Sequence, residues 1–232
     1  MTRATVLEEI RDGVALLTLN RPLRRNAFND QQYDDLRDAL AEVQANDQVC
    51  VAVVTGATGA FSGGQDLGEM GKPPLDDGKP HGFTPFIDRL SSFEKPLIAA
   101  VNGVAVGVGV TMLLHCDVVY VAESARLRAP FVALGIVPEA GSTLLLPQVV
   151  GPQRAAELLF TAGWLAAREA VELGLARRVL PDAELLPAAL ATAAAIAAQP
   201  LGALRATKRL LLASRADALR AARAREDAAQ VK

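Results

Sequence analysis

The stretch Leu97–Leu114, LIAAVNGVAVGVGVTMLL, carries no charge, and Asn102 and Thr111 are its only polar side chains. By length and composition it could cross a bilayer. Asn102-Gly103 is a strong turn signal, however, and Gly107 and Gly109 weaken a continuous helix. The stretch therefore reads as a strand over Leu97–Val101, a Gly-rich turn, and a buried helix from about Gly107 to Leu114. Upstream, the β-branched run Val49–Thr55 has the pattern of a strand buried on both faces. Downstream, Asp117–Val121 repeats it. Strands alternating with helices predict an α/β core with largely parallel strands.

Working outward, Val6–Ile10 and Val14–Leu19 flank Asp12-Gly13 and predict a hairpin. Asp30 is placed to cap a helix running to about Ala45, with Tyr33, Leu36, Leu40 and Val43 on one face. Gly56 to Gly64 reads as a loop, followed by a short helical segment near Leu67–Met70. The prolines and glycines of residues 71–85 predict a mobile surface loop before a helix near Phe86–Phe93. Helical periodicity dominates from Thr143, broken at Gly151-Pro152, Gly163, Gly174, Pro181 and Pro200, and Leu201–Lys232 is Ala/Leu/Arg-rich. The apolar faces of these helices read first as core and second as a subunit interface.

The 232 residues are 51% hydrophobic and 22% charged, with a net charge of −2. That is the balance of an ordered globular protein, and it lacks the basic excess that nucleic-acid binding needs. Cys50 and Cys116 have no framework spacing, and His115 adjoins Cys116, which is poor geometry for two ligands on one metal. Disulfides and a metal site are therefore not expected. The charged N-terminus through Arg11 lacks signal-peptide character, so a cytoplasmic protein with no membrane span is expected.

Neither a GxxxxGK[ST] phosphate loop nor a GxSxG elbow is present, and Gly107-Val108-Gly109 has Met112 where a dinucleotide fingerprint needs glycine. Two Gly-rich segments, Phe61–Leu67 and Asn102–Gly109, each follow a strand. Their glycines fit tight turns, and equally a pair of free N–H groups aimed at one oxyanion. In the third segment, Leu134–Thr143, Glu139 stands among Pro, Ala and Gly just ahead of a helix. It fits a surface partner of the helix dipole, or an acid/base raised by apolar neighbours.

Together these segments resemble the crotonase superfamily, the enoyl-CoA hydratases and isomerases. The resemblance runs in order through LTLNRPLRRNAF (17–28), FSGGQDL (61–67), KPLIAAVNGVAVGVG (95–109), CDVVYVAESARL (116–127), LGIVPEAGSTLLLP (134–147) and AREAVELGLARRVLP (167–181). It implies a spiral of repeated ββα units over residues 1–180, with a helical trimerisation region over 181–232. It further implies an acyl-CoA thioester substrate, a homotrimer or dimer of trimers, and no cofactor beyond the substrate's own CoA. The oxyanion donors would be the N–H groups of Gln65 and Val108. Gly63, Gly64, Asp66, Leu67 and Gly107 would border the substrate. Arg24 and Arg25 fit a loop directed at CoA phosphates, and fit two solvated arginines as well.

Two departures shape the expected reaction. Hydratases of this superfamily use two glutamates, and those positions here are Thr111 and Phe131. By contrast, VNGVAVGVGVTML, APFVALG and VPEAGST resemble the peroxisomal-type Δ3,Δ2-enoyl-CoA isomerases, which carry one glutamate at the position of Glu139. The expectation is an isomerase that moves a proton from C2 to C4, in a dry pocket lined by Val108, Thr111 and Phe131. The alternatives are another enolate reaction on an acyl-CoA, or a non-catalytic acyl-CoA binder. Family subunits also continue past the Arg/Ala-rich helix with one more helix, so closure of the site is expected to need a neighbouring subunit.

Overall fold

The computed structural model describes residues 3–69 and 77–230. Strands β1 (Val6–Arg11) and β2 (Val14–Leu19) form the expected antiparallel hairpin. Helix α1 (Asp30–Ala45) leads to β3 (Val51–Gly56) and β4 (Ala60–Ser62), then α2 (Phe83–Ser91). The deciding stretch divides into β5 (Leu97–Val101), β6 (Val104–Val106) and α3 (Val108–Thr111), with a 3₁₀ turn over Met112–His115. Next come β7 (Val118–Ala122), β8 (Arg126–Arg128), α4 (Ser142–Val150), α5 (Pro152–Thr161), β9 (Trp164–Ala166) and α6 (Ala167–Glu172). The chain ends through β10 (Arg178–Leu180), α7 (Asp182–Ala197), α8 (Leu201–Ala213) and α9 (Ala216–Ala229).

The strands sort into two sheets. One runs β1-β2-β3-β5-β7-β10, parallel from β2 onward; the other runs β4-β6-β8-β9. Thus β3/β4, β5/β6 and β7/β8 each place one strand in the large sheet and the next, after a turn of a few residues, in the small one. This is the spiral of ββα units. The corner between β5 and β6 shows how tightly it is wound. A Cβ on Gly103 would lie 2.1 Å from the Gly59 carbonyl oxygen, so only glycine fits. Beside it, the Asn102 side chain accepts from the Gly56 N–H at 3.1 Å and donates to its carbonyl at 2.7 Å. The Asn-Gly pair therefore ties two repeats together as well as turning the chain.

Every residue of β3 and β5 is buried, as strands covered on both faces require. Tyr33, Leu36, Leu40 and Val43 are buried on α1, which packs on β1, β2 and α2. Helix α7 turns Leu185, Ala189 and Ala193 inward across β2, β3, β5 and β7. No single helix among the described residues is long and apolar enough to cross a membrane.

Several local expectations are corrected. Asn29, not Asp30, caps α1, accepting the Gln32 N–H at 3.1 Å from an extended backbone that Asp30 has already left. The strands β4, β6, β9 and β10 fall where loops or helices were expected, because three residues carry too little alternation to register. Residues 67–69 form a turn, not a helix, and α2 begins at Phe83, earlier than expected. Met70 and residues 71–76 of the proline-rich loop lie outside the described residues. The helix expected to Leu114 tightens to 3₁₀ after Thr111, a common ending that lets the chain turn toward β7.

Lys95 is a buried cation with a structural task. Its fully buried ammonium donates to the carbonyls of Val43, Asn46 and Val49, each at 2.7 Å, and so closes the C-terminal end of α1. Lys95→Met would leave three carbonyls without that donor. We expect a loss of about 3 kcal/mol in the free energy of unfolding, measured by urea denaturation.

Candidate active site

The first Gly-rich loop is held by main-chain pairing. The Phe28 N–H donates to the Gly64 carbonyl at 2.7 Å, and the Asp66 N–H donates to the Phe28 carbonyl at 2.8 Å. In an extended segment alternate groups point to opposite sides, so the Gln65 N–H is turned away from Phe28. It finds no acceptor among the described residues. Beneath the loop, Tyr33 packs against Phe28, Phe83 and Phe86 and donates its hydroxyl to Gln65 Oε1 at 2.7 Å. Burial holds the Tyr33 phenol well above its usual range, so it stays a neutral donor. Tyr33 reads as a core residue on its helical face; its hydroxyl could be placed only once the fold had brought Gln65 over it.

The second Gly-rich loop meets the first directly. Gly64 has φ +89°, and a Cβ there would lie 2.8 Å from the Val106 carbonyl oxygen. The Gly107 N–H donates to the Arg128 carbonyl at 2.9 Å, which fixes the next peptide. Val108 opens α3, so its N–H has no partner within the helix, and none is found elsewhere among the described residues. The two loops thus bring two unpaired main-chain donors to the wall of one cavity.

Glu139 faces the same cavity from the turn before α4. Thr111, buried on α3, donates its hydroxyl to Glu139 Oε1 at 2.5 Å; Glu139 Oε2 is buried and without a partner among the described residues. Burial pushes the carboxyl up to about 8, opposed by the Thr111 hydrogen bond and assisted by the negative charge of Glu226. The turn itself is unusual. Ala140 and Gly141 are both left-handed, with φ +61° and +76°. His115 Nε2–H donates to the Ala140 carbonyl at 2.9 Å, and burial lowers that imidazole to about 4, so it is neutral at physiological pH.

The cavity measures about 590 Å³, the size of a small-molecule site. Gly63, Gly64, Gln65, Leu67, Gly107, Val108, Phe131 and Glu139 all line it. Four of the expected residues stand elsewhere. Thr111 lies behind the Glu139 carboxyl and not in the wall, because its hydroxyl is turned to Oε1. The Asp66 carboxylate pairs with Arg21 at 3.0 Å and accepts the Gly68 N–H, so it holds the loop's shape. Arg24 and Arg25 are exposed and outside the wall; the Arg25 carbonyl accepts the Gly63 N–H at 2.7 Å, so that loop supports the site through its main chain.

Other lining residues escaped the sequence reading. Asp30, Glu69 and Arg128 contribute charge. The Arg128 guanidinium lies 5.4 Å from the centre of the Trp164 ring and donates through Nε to the Ala162 carbonyl. None of the three stands in a recognisable local motif, and the fold alone brings them to the cavity. Among the described residues three carboxylates stand in the wall, and Glu139 is the one of them with an unpaired, buried oxygen.

Comparison with known proteins settles the family. The model of the enoyl-CoA hydratase/isomerase family matches residues 9–232. The chain belongs to the enoyl-CoA hydratase/isomerase family. Among relatives of this family, the 1,2-epoxyphenylacetyl-CoA isomerase of Escherichia coli is 38% identical over 201 residues, covering 84% of this chain and 77% of that protein. The 2,3-dehydroadipyl-CoA hydratase of the same organism is 39% identical over 217 residues, covering 92% and 84%. A crystal structure of an enoyl-CoA hydratase/isomerase from Pseudoalteromonas atlantica superposes with a TM-score of 0.94 at 38% identity, covering 97% of this chain and 89% of that one. The fold is therefore that of the crotonases, and the chain is an acyl-CoA-processing member of the family.

Proposed function

We propose that this protein is an enoyl-CoA isomerase of the Δ3,Δ2 type. The observation that carries the reading is the buried carboxyl of Glu139 in one cavity with the N–H groups of Gln65 and Val108, its Oε2 and both N–H groups being without a partner among the described residues. The thioester oxygen sits between the two donors, which stabilise the enolate once a C2 proton leaves. Glu139 Oε2 takes that proton and returns it to C4: one C–H bond breaks, one forms, and the double bond moves into conjugation. The reaction is a balanced isomerisation and needs no redox partner. Phe131 and Val108 keep the dienolate dry.

Syn hydration would need a second carboxylate to activate water. Thr111 and Phe131 occupy the positions where the resemblance places the hydratase glutamates, and neither side chain can act as that base. A second reading, another enolate reaction on an aromatic acyl thioester, is favoured by the similarity to the epoxyphenylacetyl-CoA isomerase. The same proposal carries a homotrimer or dimer of trimers working in the cytoplasm.

Incubation with 3-hexenoyl-CoA tests the reading. Absorbance of the conjugated thioester is expected to rise, and hydration of 2-hexenoyl-CoA to run at under about one hundredth of that rate, because positions 111 and 131 carry no carboxylate to activate water. Loss of conjugation from 2-hexenoyl-CoA as the main reaction would make the protein a hydratase. Turnover of an aromatic epoxyacyl-CoA alone would favour the second reading, and binding without turnover on any thioester would leave an acyl-CoA binder.

A further inference from the structure

The two left-handed residues after Glu139 create a problem that the chain solves from far away in sequence. Gly141 is the residue before α4, where a Ser, Asn or Asp side chain would ordinarily satisfy the first free N–H groups of the helix. No such side chain stands here. At φ +76° a side chain at position 141 would be strained, and its Cβ would lie 2.1 Å from Leu219 Cδ1 of α9, which would have to turn aside. The cap comes instead from α9. Glu226 Oε2 accepts the Gly141 N–H at 2.6 Å, while Oε1 accepts the Thr143 N–H at 2.9 Å and the Thr143 hydroxyl at 2.6 Å. Glu226 is itself buried, with 4% of its surface exposed.

We propose that Glu226 is a positioning residue for Glu139: its carboxylate clamps the main chain of residues 141–143 and so fixes the turn that aims Glu139 into the cavity. The clamp has a second jaw. His115 holds the Ala140 carbonyl, so the peptide between Ala140 and Gly141, at the centre of the left-handed turn, is gripped at its carbonyl by His115 and at its N–H by Glu226. Placement matters because an ångström of drift in a general base costs on the order of a hundredfold in rate. The charge matters too. The groups facing Glu139 are Tyr33 from α1, Thr111 and His115 from the segment after β6, and Arg223 and Glu226 from α9. Tyr33 and His115 are neutral, and Arg223 is paired with Asp88 at 2.7 Å. Asp30, Glu69 and Arg128 share the cavity wall, but Glu226 is the anion whose charge raises the Glu139 carboxyl and keeps it a stronger base, with Arg223 opposing it.

The inference rests on the isomerase reading for its kinetic test but not for its direct one. Glu226→Gln removes the charge and one acceptor; Glu226→Asp keeps the charge and shortens the reach. In isomerisation of 3-hexenoyl-CoA, both variants are expected to lose roughly tenfold to a hundredfold in kcat, with KM within about twofold. The ascending limb of the pH profile should move to lower pH in Glu226→Gln and stay close to wild type in Glu226→Asp. The direct readout is a ¹³C-carboxyl NMR titration of glutamate-labelled protein, with the Glu139 resonance identified by its loss in Glu139→Gln. Its midpoint should fall in Glu226→Gln. An unchanged midpoint together with an unchanged kcat would overturn the proposal. If Glu226→Gln does not fold, an unchanged kcat in Glu226→Asp overturns it alone. A lowered midpoint in a protein that turns over no 3-enoyl-CoA would uphold the coupling of Glu226 to Glu139 and reject the isomerase assignment.

Discussion

Glu139→Gln is expected to lower the rate of 3-enoyl-CoA isomerisation by at least about 10²–10⁴-fold, with acyl-CoA affinity within a few-fold of wild type. The amide fills the same space and can still accept the Thr111 hydroxyl, so the cavity keeps its shape. What disappears is the oxygen that exchanges a proton between C2 and C4. Stopped-flow absorbance of the conjugated product measures the first quantity, and calorimetric titration with a saturated acyl-CoA the second. In the wild type the base must be ionised to act. With the carboxyl held near 8, kcat/KM should climb as pH rises toward that value and then level. Full activity in Glu139→Gln would remove Glu139 from the mechanism.

The same substitution has a stability signature of opposite sign. A carboxyl whose folded value is about 8 and whose ordinary value is 4.5 binds its proton more tightly in the folded state. Folding stability from this group is therefore fully present below pH 4.5 and is lost as pH rises through about 8. Glu139→Gln should leave the Tm nearly unchanged at about pH 5 and raise it at about pH 8.5, measured in the same buffers. Gain of stability with loss of rate is the mark of a group retained for chemistry.

Legibility in the sequence depended on whether the signal was local. Long, periodic features were legible: the hairpin, α1, the buried β3 and β5, and the turn inside Leu97–Leu114 all rest on patterns confined to a short window. The three-residue strands β4, β6, β8 and β9 form a whole sheet, yet each exists only because its neighbours sit beside it. The site divides in the same way. Gln65, Val108 and Glu139 stand in motifs specific enough to carry a family resemblance, and the fold brings all three to one cavity. Thr111 and Asp66 fit the substrate wall by proximity in sequence, which says nothing about direction; one turns to Glu139 and the other to Arg21. Glu226 could not be read at all. It is one acid in an Arg/Ala-rich helix, and its task depends on a turn more than eighty residues upstream.

Gly64→Ala tests the oxyanion geometry most severely. At φ +89° an alanine is strained whatever the space, and its methyl would stand 2.8 Å from the Val106 carbonyl oxygen and 3.2 Å from its carbon. Those atoms belong to main chain, so the contact cannot be relieved by a side-chain rotation. Either the peptide carrying the Gln65 N–H rotates, or β6 moves back and takes the Val108 N–H with it. Both outcomes pull one donor off the thioester oxygen, and loss of one such donor costs about 10²–10³-fold in kcat. The strain adds a stability loss of about 1–3 kcal/mol. Gly59→Ala separates the two effects. Gly59 has φ +73°, nothing within 4 Å of where an added methyl would stand, and no place in the cavity wall. It should lose stability by about 1 kcal/mol and keep its kcat. If Gly64→Ala loses no more rate than Gly59→Ala, the main-chain donors of the two loops do not hold the transition state, and catalysis has to be sought in the side chains alone.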